Sequence, residues 1–315
     1  MERRNFSDDR AVAGAVGIIL MMALAVTVYA NAVRSDIPVY GMDAESAWDA
    51  EIAGALRQLS RSTGQGLAEG APVTVLLPPP PPARAVEMPF IGGAVPFSPS
   101  GTVFFDPRCG SFGATHVAGD GSAVTDLVSG STGCLAFDAQ PVYSKAFGYR
   151  MEYGGLVRVQ GDRAIVVSGP PLEVEAVSPG EYRASLGLPG LRGHAISASN
   201  DAGSVRVDLV PGPAAREIED AANARNATWT LVTEHPAAWK SWFESRFAQA
   251  GFTASRTAPL PGQSAADYTL RCMPVDCSVG ASGKGTLVVT LEGPRTDVAD
   301  LRLSFSYGVY DVNVQ

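Results

Sequence analysis

Charged side chains are scarce in this chain of 315 residues, where Asp, Glu, Lys and Arg together make up only 18%. Those present leave a formal net charge of -8 and a pI near 5.0. A nucleic-acid-binding protein needs a basic face. The composition therefore argues against a nucleic-acid partner, and the acidity favours an exposed surface that stays soluble.

The longest uncharged stretch lies near the beginning of the chain. No charged side chain occurs in the 23 residues from Ala11 to Val33. A helix rises ~1.5 Å per residue, so a helix of this length crosses the ~30 Å hydrocarbon layer of a bilayer. We therefore predict a transmembrane helix over residues 12–34, in contact with membrane lipid.

The charges before this span predict its orientation. Arg3, Arg4 and Arg10 precede it, and basic residues hold a flanking segment on the cytoplasmic side. We expect a single-pass membrane protein with a cytoplasmic N-terminus and an extracellular C-terminal domain. Three fates of the apolar segment remain open: cleavage as a signal peptide after Ala32, retention as a simple anchor, or processing on its cytoplasmic side followed by retention.

Cysteine is also rare, and all four cysteines lie beyond the apolar segment, as expected for an oxidising exterior. They are Cys109, Cys134, Cys272 and Cys277. Four cysteines allow three pairings, of which we favour the local one, Cys109 with Cys134 and Cys272 with Cys277. The rival hypothesis, a four-thiolate zinc site, normally requires closely spaced cysteine pairs, whereas the gaps here are 24 residues and four.

Glycine and proline are abundant, with 34 and 23 residues, which favours a turn-rich β structure over a helical bundle. We predict an α+β fold in which a long N-terminal helix precedes a β-rich, antiparallel, sandwich-like domain and a second α+β module that is continuous with or packed on it. The predicted segments are a cytoplasmic leader (1–11), the transmembrane helix (12–34), an amphipathic stalk helix (35–66), a Pro-rich connector (67–100), the β-rich domain (101–213) and the C-terminal module (214–315).

The stalk helix is predicted from an apolar stripe at helical spacing. Pro38 should break or kink the chain before it, and Gly64 and Gly66 should end it. We expect the stripe to cover the β domain. It consists of Trp48, Ile52, Ala55, Leu56 and Leu59.

Short β-like runs recur between turn residues through the middle of the chain. The first leads into a polyproline II segment, Pro78–Pro82, which we interpret as a stiff spacer. Gln160-Gly161-Asp162 predicts a hairpin turn. The predicted strands are Val73–Leu77, Thr102–Phe105, Gly155–Gln160, Ala164–Ser168, Leu172–Val177 and Ser204–Val210.

The C-terminal module combines predicted helices and strands. We expect a helix over Ala214–Arg225, a strand over Thr228–Thr233, a second helix from Pro236 to Gly251, and two or three strands in TLVVTLEG, DLRLSFSYG and VYDVNV. In the second helix four aromatic residues share one face, which favours packing against a sheet over a carbohydrate or partner platform. They are Trp239, Trp242, Phe243 and Phe247.

No sequence motif for catalysis, metal binding or cofactor binding is present. His116, His194 and His235 are far apart, and none belongs to a metal-ligand pair. The run from Gly280 to Thr286 lacks the Ser or Thr that follows the lysine of a phosphate-binding loop. We therefore expect no enzyme, no cofactor and no metal.

One modification site is predicted in the exported part of the chain. Asn226-Ala227-Thr228 fits the pattern for N-glycosylation, which makes Asn226 the candidate acceptor.

The beginning of the span also carries a family resemblance. Asp9-Arg10-Ala11-Val12, followed by AGAVGIILMMALAVTVYA, resembles the class III signal of archaeal type IV pilins and pilin-like proteins. The chain is similar to an uncharacterised group of archaeal pilin-like membrane proteins in three further segments: VTVLLPPPPPARAV, MEYGGLVRVQGDRAIVVSGPPLEVE and TWTLVTEHPAAWKSWFESRF.

This resemblance implies processing and partners. A prepilin peptidase would cut between Ala11 and Val12, and other pilin-like subunits would associate through the N-terminal helix. Bacterial pilins carry a Glu five residues into the mature helix, where Val16 stands here. We expect a pilin-like cell-surface structural protein, a minor subunit of a filament, with a membrane-anchored adhesin or receptor as the alternative.

Overall fold

The computed structural model describes residues 6–81, 87–88, 91–92, 99–118, 124–178, 181–201, 203–212, 216–221, 224–254, 267–280, 283–292 and 300–315. It contains a long N-terminal helix followed by a β-rich domain of curled sheets, as the predicted α+β class requires. Residues 1–5 of the leader and much of the Pro-rich connector, including Pro82, lie outside the described residues.

The elements follow one another in this order. The first part of the chain forms α1 (Phe6–Glu69), β1 (Val73–Leu77), β2 (Glu87–Met88), β3 (Ile91–Gly92), β4 (Ser100–Ala118), β5 (Val124–Gln140), β6 (Phe147–Glu152), β7 (Gly155–Gln160), β8 (Arg163–Ser168), β9 (Leu172–Ser178) and β10 (Glu181–Arg192). The remainder forms β11 (Ile196–Ser199), β12 (Val205–Pro211), β13 (Arg216–Ala221), β14 (Ala224–Thr233), α2 (Pro236–Gln249), β15 (Thr253–Ala254), β16 (Asp267–Met273), β17 (Gly285–Glu292) and β18 (Asp300–Val314).

The N-terminal helix is one element rather than two. α1 runs through Pro38 as one helix, so the break predicted there is wrong. A proline inside a helix removes one hydrogen bond and costs about 3 kcal/mol. That cost is local, whereas packing against the β domain from Gly41 onward immobilises the helix beyond it.

The predicted end of this helix is also wrong. Gly64 and Gly66 lie inside α1, which continues to Glu69. Gly70 follows with φ +63, and its amide donates to the carbonyl of Gly66 at 2.7 Å. Only glycine adopts this left-handed conformation without strain, so Gly70 is the residue that terminates the helix.

Two large sheets account for most of the domain. A ten-stranded sheet has the order β15-β16-β17-β14-β4-β5-β6-β7-β8, with β11 beside the first half of β4. A six-stranded sheet has the order β1-β12-β18-β10-β9, with β13 also beside β18. The pairings are antiparallel except for β10 with β18 and β15 with β16.

Strands from both predicted β modules enter both sheets. β14 from the C-terminal part pairs with β4, and β18 pairs with β10 and β12 from the earlier part. The range 214–315 is therefore continuous with the range 101–213 in the fold. Neither range forms a sheet of its own among the described residues.

Several predicted elements are confirmed. Strands β1, β7, β8, β9 and β12 lie where the alternation predicted them, and β7 and β8 form the predicted hairpin with Gly161 at φ +63. The helix predicted over Ala214–Arg225 is wrong, because the described residues there form β13 and the start of β14. The last two predicted segments are one long strand, β18.

The hydrophobic core has two parts. The stripe of α1 buries Trp48, Ile52, Leu56 and Leu59 against β1, β12 and the ends of β4, β5, β6 and β18. The second part lies under α2, whose Trp239, Phe243 and Phe247 are fully buried against strands of both sheets. Both amphipathic stripes therefore pack against the β domain, as their periodicity predicted.

Two disulfides join neighbouring segments in the local pairing favoured by the sequence. Cys109 on β4 is bonded to Cys134 on β5, and Cys272 at the end of β16 is bonded to Cys277 in the loop that follows. The sequence separations are 25 and 5 residues. The chain has no other cysteine.

The two bonds should differ in their contribution to stability. A cross-link that closes a longer loop removes more entropy from the unfolded chain. Replacing Cys109 and Cys134 by Ala should lower the free energy of unfolding by about 3.5 kcal/mol, against about 2 kcal/mol for the same change at Cys272 and Cys277. Denaturant unfolding of the full chain in detergent, followed by tryptophan fluorescence, measures both. Equal losses, or the reverse order, would contradict the prediction.

Candidate functional site

The first half of α1 is an apolar surface that the domain does not cover. Ala13–Asn31 has a mean hydropathy of 2.2 over its best window, and none of that window is buried within the protein. At ~1.5 Å per residue these residues extend ~28 Å, close to the thickness of a hydrocarbon layer. This is the one helix in the described part of the chain that is long and apolar enough to cross a membrane.

The second half of the same helix is fixed to the domain by a buried carboxylate. Glu45 has no exposed surface, and it accepts hydrogen bonds from three consecutive backbone amides in the β5–β6 loop (residues 141–146). The amides are those of Val142, Tyr143 at 3.0 Å and Ser144 at 2.7 Å. The three hydrogen bonds that Glu45 accepts compensate the cost of burying its carboxylate.

The same loop approaches the helix backbone closely. A Cβ on Gly41 would lie 2.2 Å from Cδ2 of Tyr143, so only glycine admits the Tyr143 ring at this position. Gly64 makes a similar approach to Pro171, where a Cβ would lie 2.5 Å from Cγ. Gly41 and Gly64, the second of which was predicted to end the helix, are therefore sites of close packing between helix and domain.

Polar contacts continue along the helix beyond Glu45. Asp49 accepts a hydrogen bond from the Tyr149 hydroxyl at 2.5 Å and forms an ion pair with Arg158 at 2.7 Å. Burial, reinforced by the Asp49 carboxylate, raises the pKa of Tyr149 well above its usual range. The Ser60 hydroxyl donates to the Gly154 carbonyl at 2.7 Å. The helix is therefore attached at several levels.

Sequence reasoning missed Glu45, although a signal was present. Glu45 stands three residues before Trp48 and continues the apolar stripe toward the N-terminus. A lone carboxylate on a stripe that faces a core requires a buried partner. The partner is a run of loop amides about 100 residues away, which no local pattern identifies.

A second buried carboxylate lies at the N-terminus of α2. One oxygen of Glu152 accepts hydrogen bonds from the Thr233 hydroxyl at 2.5 Å and from Nε1 of Trp239 at 3.2 Å. Its other oxygen, Oε1, is buried without a hydrogen-bond partner among the described residues. Burial raises the pKa of Glu152 from 4.5 to about 7, the two hydrogen bonds opposing the shift and the charge of Glu234 adding to it.

His235 belongs to the same cluster. Its amide donates to the Thr233 hydroxyl oxygen at 3.0 Å. In the part of the chain that the structure describes, its Nε2 is buried without a hydrogen-bond partner. Burial, with the nearby positive charge of Arg150, lowers the pKa of His235 to about 4. The imidazole is therefore neutral at pH 7.

The other two histidines lie on different elements. His116 is in β4, and His194 lies between β10 and β11. Within the described ranges no group of three or more His, Cys, Asp or Glu side chains is arranged to hold a metal ion. Glu152 is sealed in the core, so its acid chemistry is closed to a substrate.

A shallow groove lies between β8 and α2. Its volume is about 390 Å³, and Trp242 is the large aromatic residue in its wall. Trp242 differs from the other three aromatic residues of α2, because it is only partly buried and the guanidinium of Arg246 stacks over its ring at 5.7 Å. The groove is lined by Ala164, Ile165, Val166, Ala237, Ala238, Ser241, Trp242 and Ser245.

The remaining predicted site residues lie at these positions. Ala11 and Val12 are in the first turns of α1, and their side chains are outside the described residues. Asn226 is on β14, where it is partly exposed and lies opposite Val117 of β4 and Glu292 of β17. The structure does not bring these residues together with the Glu152 cluster.

Comparisons with family models, curated proteins and solved structures find no match.

The Glu45 contact predicts a specific loss of stability. Replacing Glu45 by Ala leaves three loop amides without their acceptor, and hydrogen bonds to a charged group contribute about 1.5–3 kcal/mol each. We expect the free energy of unfolding to fall by about 3 kcal/mol, since solvent can reach part of the exposed loop. Glu51→Ala, on the same helix but exposed, is the matched control and should change it by less than about 0.5 kcal/mol. Denaturant unfolding of the full chain in detergent measures both, and equal effects would contradict the prediction.

The raised pKa of Glu152 predicts that replacing this residue changes how the free energy of unfolding depends on pH. Its pKa is raised on folding, so the stability that it contributes is present below pH 4.5 and is lost as the pH rises to about 7. Glu152→Gln cannot ionise. The free energy of unfolding of Glu152→Gln minus that of the native chain should therefore rise by about 3 kcal/mol between pH 4.5 and pH 7.

The difference between the two proteins isolates this residue. His235, whose pKa is lowered on folding, contributes stability that is lost as the pH falls from 6.5 to about 4. That slope has the opposite sign and is common to both proteins, so it cancels in the difference. Unfolding measured at several pH values tests this, and a flat difference would contradict it.

Proposed function

We propose that this protein is a pilin-like structural protein of the cell surface. The first half of α1 anchors it in the membrane, the β-rich domain is displayed on the extracellular side, and the chain joins a filament as a minor subunit. One observation carries the proposal: α1 is a single helix that is uncovered over Ala13–Asn31 and built into the domain core from Gly41 onward.

The charges and disulfides support the orientation. Arg3, Arg4 and Arg10 precede the span, as expected for a cytoplasmic N-terminus. Both disulfides lie beyond it, which suits an oxidising exterior. Asn226, partly exposed on β14, would be the glycosylation acceptor there.

The leader supports processing by a prepilin peptidase. A cut between Ala11 and Val12 removes the three arginines and leaves the uncharged helix at the new N-terminus. The anchor is kept, because the cut precedes the apolar span. Filament association through this helix is what the family resemblance implies.

The groove beside α2 favours a second candidate function. A partly exposed aromatic residue among small side chains suits an adhesin or receptor that remains a membrane-anchored binding protein. In that case the domain would bind its ligand without assembly. Recovery of the chain from mechanically sheared filaments supports the structural role, whereas recovery from membranes alone supports the binding role.

The mature N-terminus tests the proposal directly. Mass spectrometry of the native protein should find a chain that begins at Val12. A chain that begins at Met1 would indicate a plain anchor, and one that begins at Val33 would indicate a secreted protein. Either of these results contradicts the pilin-like assignment.

A further inference from the structure

The groove between β8 and α2 opens onto an edge of the ten-stranded sheet. β8 is the last strand of that sheet, and within the described ranges β7 is the one strand that pairs with it. Ala164, Ile165 and Val166 all line the groove, although successive side chains of a strand point to opposite faces of a sheet. A groove that is lined from both faces of one strand runs along the edge of that strand.

The register of the β7–β8 hairpin shows which backbone groups point into the groove. Gln160 and Arg163 flank the two-residue turn and form the first hydrogen-bonded pair of the ladder. Bonded and non-bonded pairs alternate, so Ile165 also bonds to β7, whereas Ala164 and Val166 do not. The amide and carbonyl groups of Ala164 and Val166 therefore point toward the open edge. Among the described residues no other backbone group pairs with them.

This edge lacks the protection that the other sheet has. Proteins commonly place charged side chains on an edge strand, because its free backbone groups can pair with another chain. β9, the last strand of the six-stranded sheet, carries exposed Glu173 and Glu175. From Ala164 to Leu172 no residue is charged, and Ile165 is 57% exposed. β8 therefore has the composition of a strand that accepts a partner.

α2 forms the other wall of the groove, mainly with small side chains. Ala237, Ser241 and Ser245 are exposed, and their spacing of four residues places them on one side of the helix. Trp242 adds an apolar surface beside them, and none of the residues that line the groove is charged. The small side chains leave room for a further strand, and uncharged side chains of that strand would contact this wall.

Lipid does not reach the groove when α1 is the membrane anchor. Arg158 of β7 lies opposite Ile165 and forms an ion pair with Asp49 of α1. Asp49 stands 18 residues beyond Asn31, which is ~27 Å along the helix. The headgroup region extends only ~5–7 Å beyond each side of the hydrocarbon layer. The edge of β8 is therefore held in water.

A second copy of the chain does not match this edge. β8 runs in the same direction as α1: Ile165 is level with Asp49, and the Ser168 hydroxyl accepts a hydrogen bond from that of Ser60 at 3.2 Å. Two copies anchored in one bilayer therefore hold their β8 strands parallel. A two-fold contact between identical edges is formed by antiparallel strands. The edge thus fits an extended segment of a different protein.

We propose that the open edge of β8 binds an extended, uncharged peptide segment of another protein, which adds a strand to the ten-stranded sheet beside α2. Backbone hydrogen bonds with Ala164 and Val166 would provide affinity, and contacts with Ser241 and Trp242 would select the side chains. The proposal names a ligand class for the groove on which the binding role rests. It uses the proposed anchoring by α1, but not assembly into a filament.

The test measures binding of a synthetic peptide to the full chain in detergent. The probe is an alternating threonine–valine peptide with a lysine at each end, followed by fluorescence anisotropy, and its control is the same peptide with every internal amide N-methylated. The native chain should bind the probe at least about tenfold more tightly than the control, because N-methylation removes the donors of a strand. Equal binding of the two peptides, or no binding of either, would overturn the proposal.

A variant of β8 tests the contribution of the edge backbone. Ala164→Pro removes one donor from the open edge, at a position where an edge strand tolerates proline. It should weaken binding of the probe at least about fivefold, since an acceptor of the peptide loses its partner. Ala164→Ser keeps the amide and should bind the probe as the native chain does.

A variant of α2 tests the same site without changing the sheet. Ser241→Tyr fills the groove from the helix side and should also weaken binding of the probe at least about fivefold, because the incoming strand meets a steric clash. Gln249→Tyr, exposed on α2 outside the groove, should not. Binding that neither Ala164→Pro nor Ser241→Tyr weakens would place the peptide elsewhere and would overturn the proposal.

The same variants reveal whether another copy of the chain covers the edge. Concentration-dependent dimers of the native chain that Ala164→Pro abolishes would show that the occupant is a second copy. That result would overturn the assignment to a different protein.

These outcomes are separate from those that test the proposed function. A chain that is matured at Val12 and found in filaments, but does not bind the probe, would overturn this inference alone. A chain that binds the probe through β8, but begins at Met1 in its native form, would contradict the pilin-like assignment alone.

Discussion

The structure depends on one continuous helix that serves two environments. The first half of α1 presents an apolar surface that the protein leaves uncovered, and the second half is part of the domain core. Glu45 marks the transition, because its carboxylate holds three amides of the β5–β6 loop where the helix enters the domain. The helix is unbroken at Pro38. The orientation of the domain relative to the apolar first half of α1 is therefore set by a continuous helix and not by a linker.

The two buried glutamates show how partners decide the effect of a carboxylate. Glu45 receives three amide donors and attaches a helix to a loop. Glu152 receives two donors for one oxygen and none for the other, and burial raises its pKa to about 7. The same residue type is thus an attachment point in one place and a pH-sensitive group in the other.

The proposed function depends on a surface and not on a reaction centre. The Glu152 cluster is closed, and the groove beside α2 is shallow. What the domain leaves uncovered is the first half of α1, over Ala13–Asn31. The proposed role as an anchored structural protein would use this surface to hold the domain at a membrane.

Much of this molecule follows from local pattern. The uncharged run, the stripe from Trp48 to Leu59, the aromatic face of α2 and the hairpin at Gly161 depend on residues close in sequence, and periodicity therefore predicts them. Tertiary structure alone decided the continuity through Pro38, the strand identity of Arg216–Ala221 and the partner of Glu45. Each of these depends on distant segments: packing from Gly41 onward outweighs one lost hydrogen bond, β18 provides the pairing edge for residues 216–221, and loop amides about 100 residues away satisfy a buried charge.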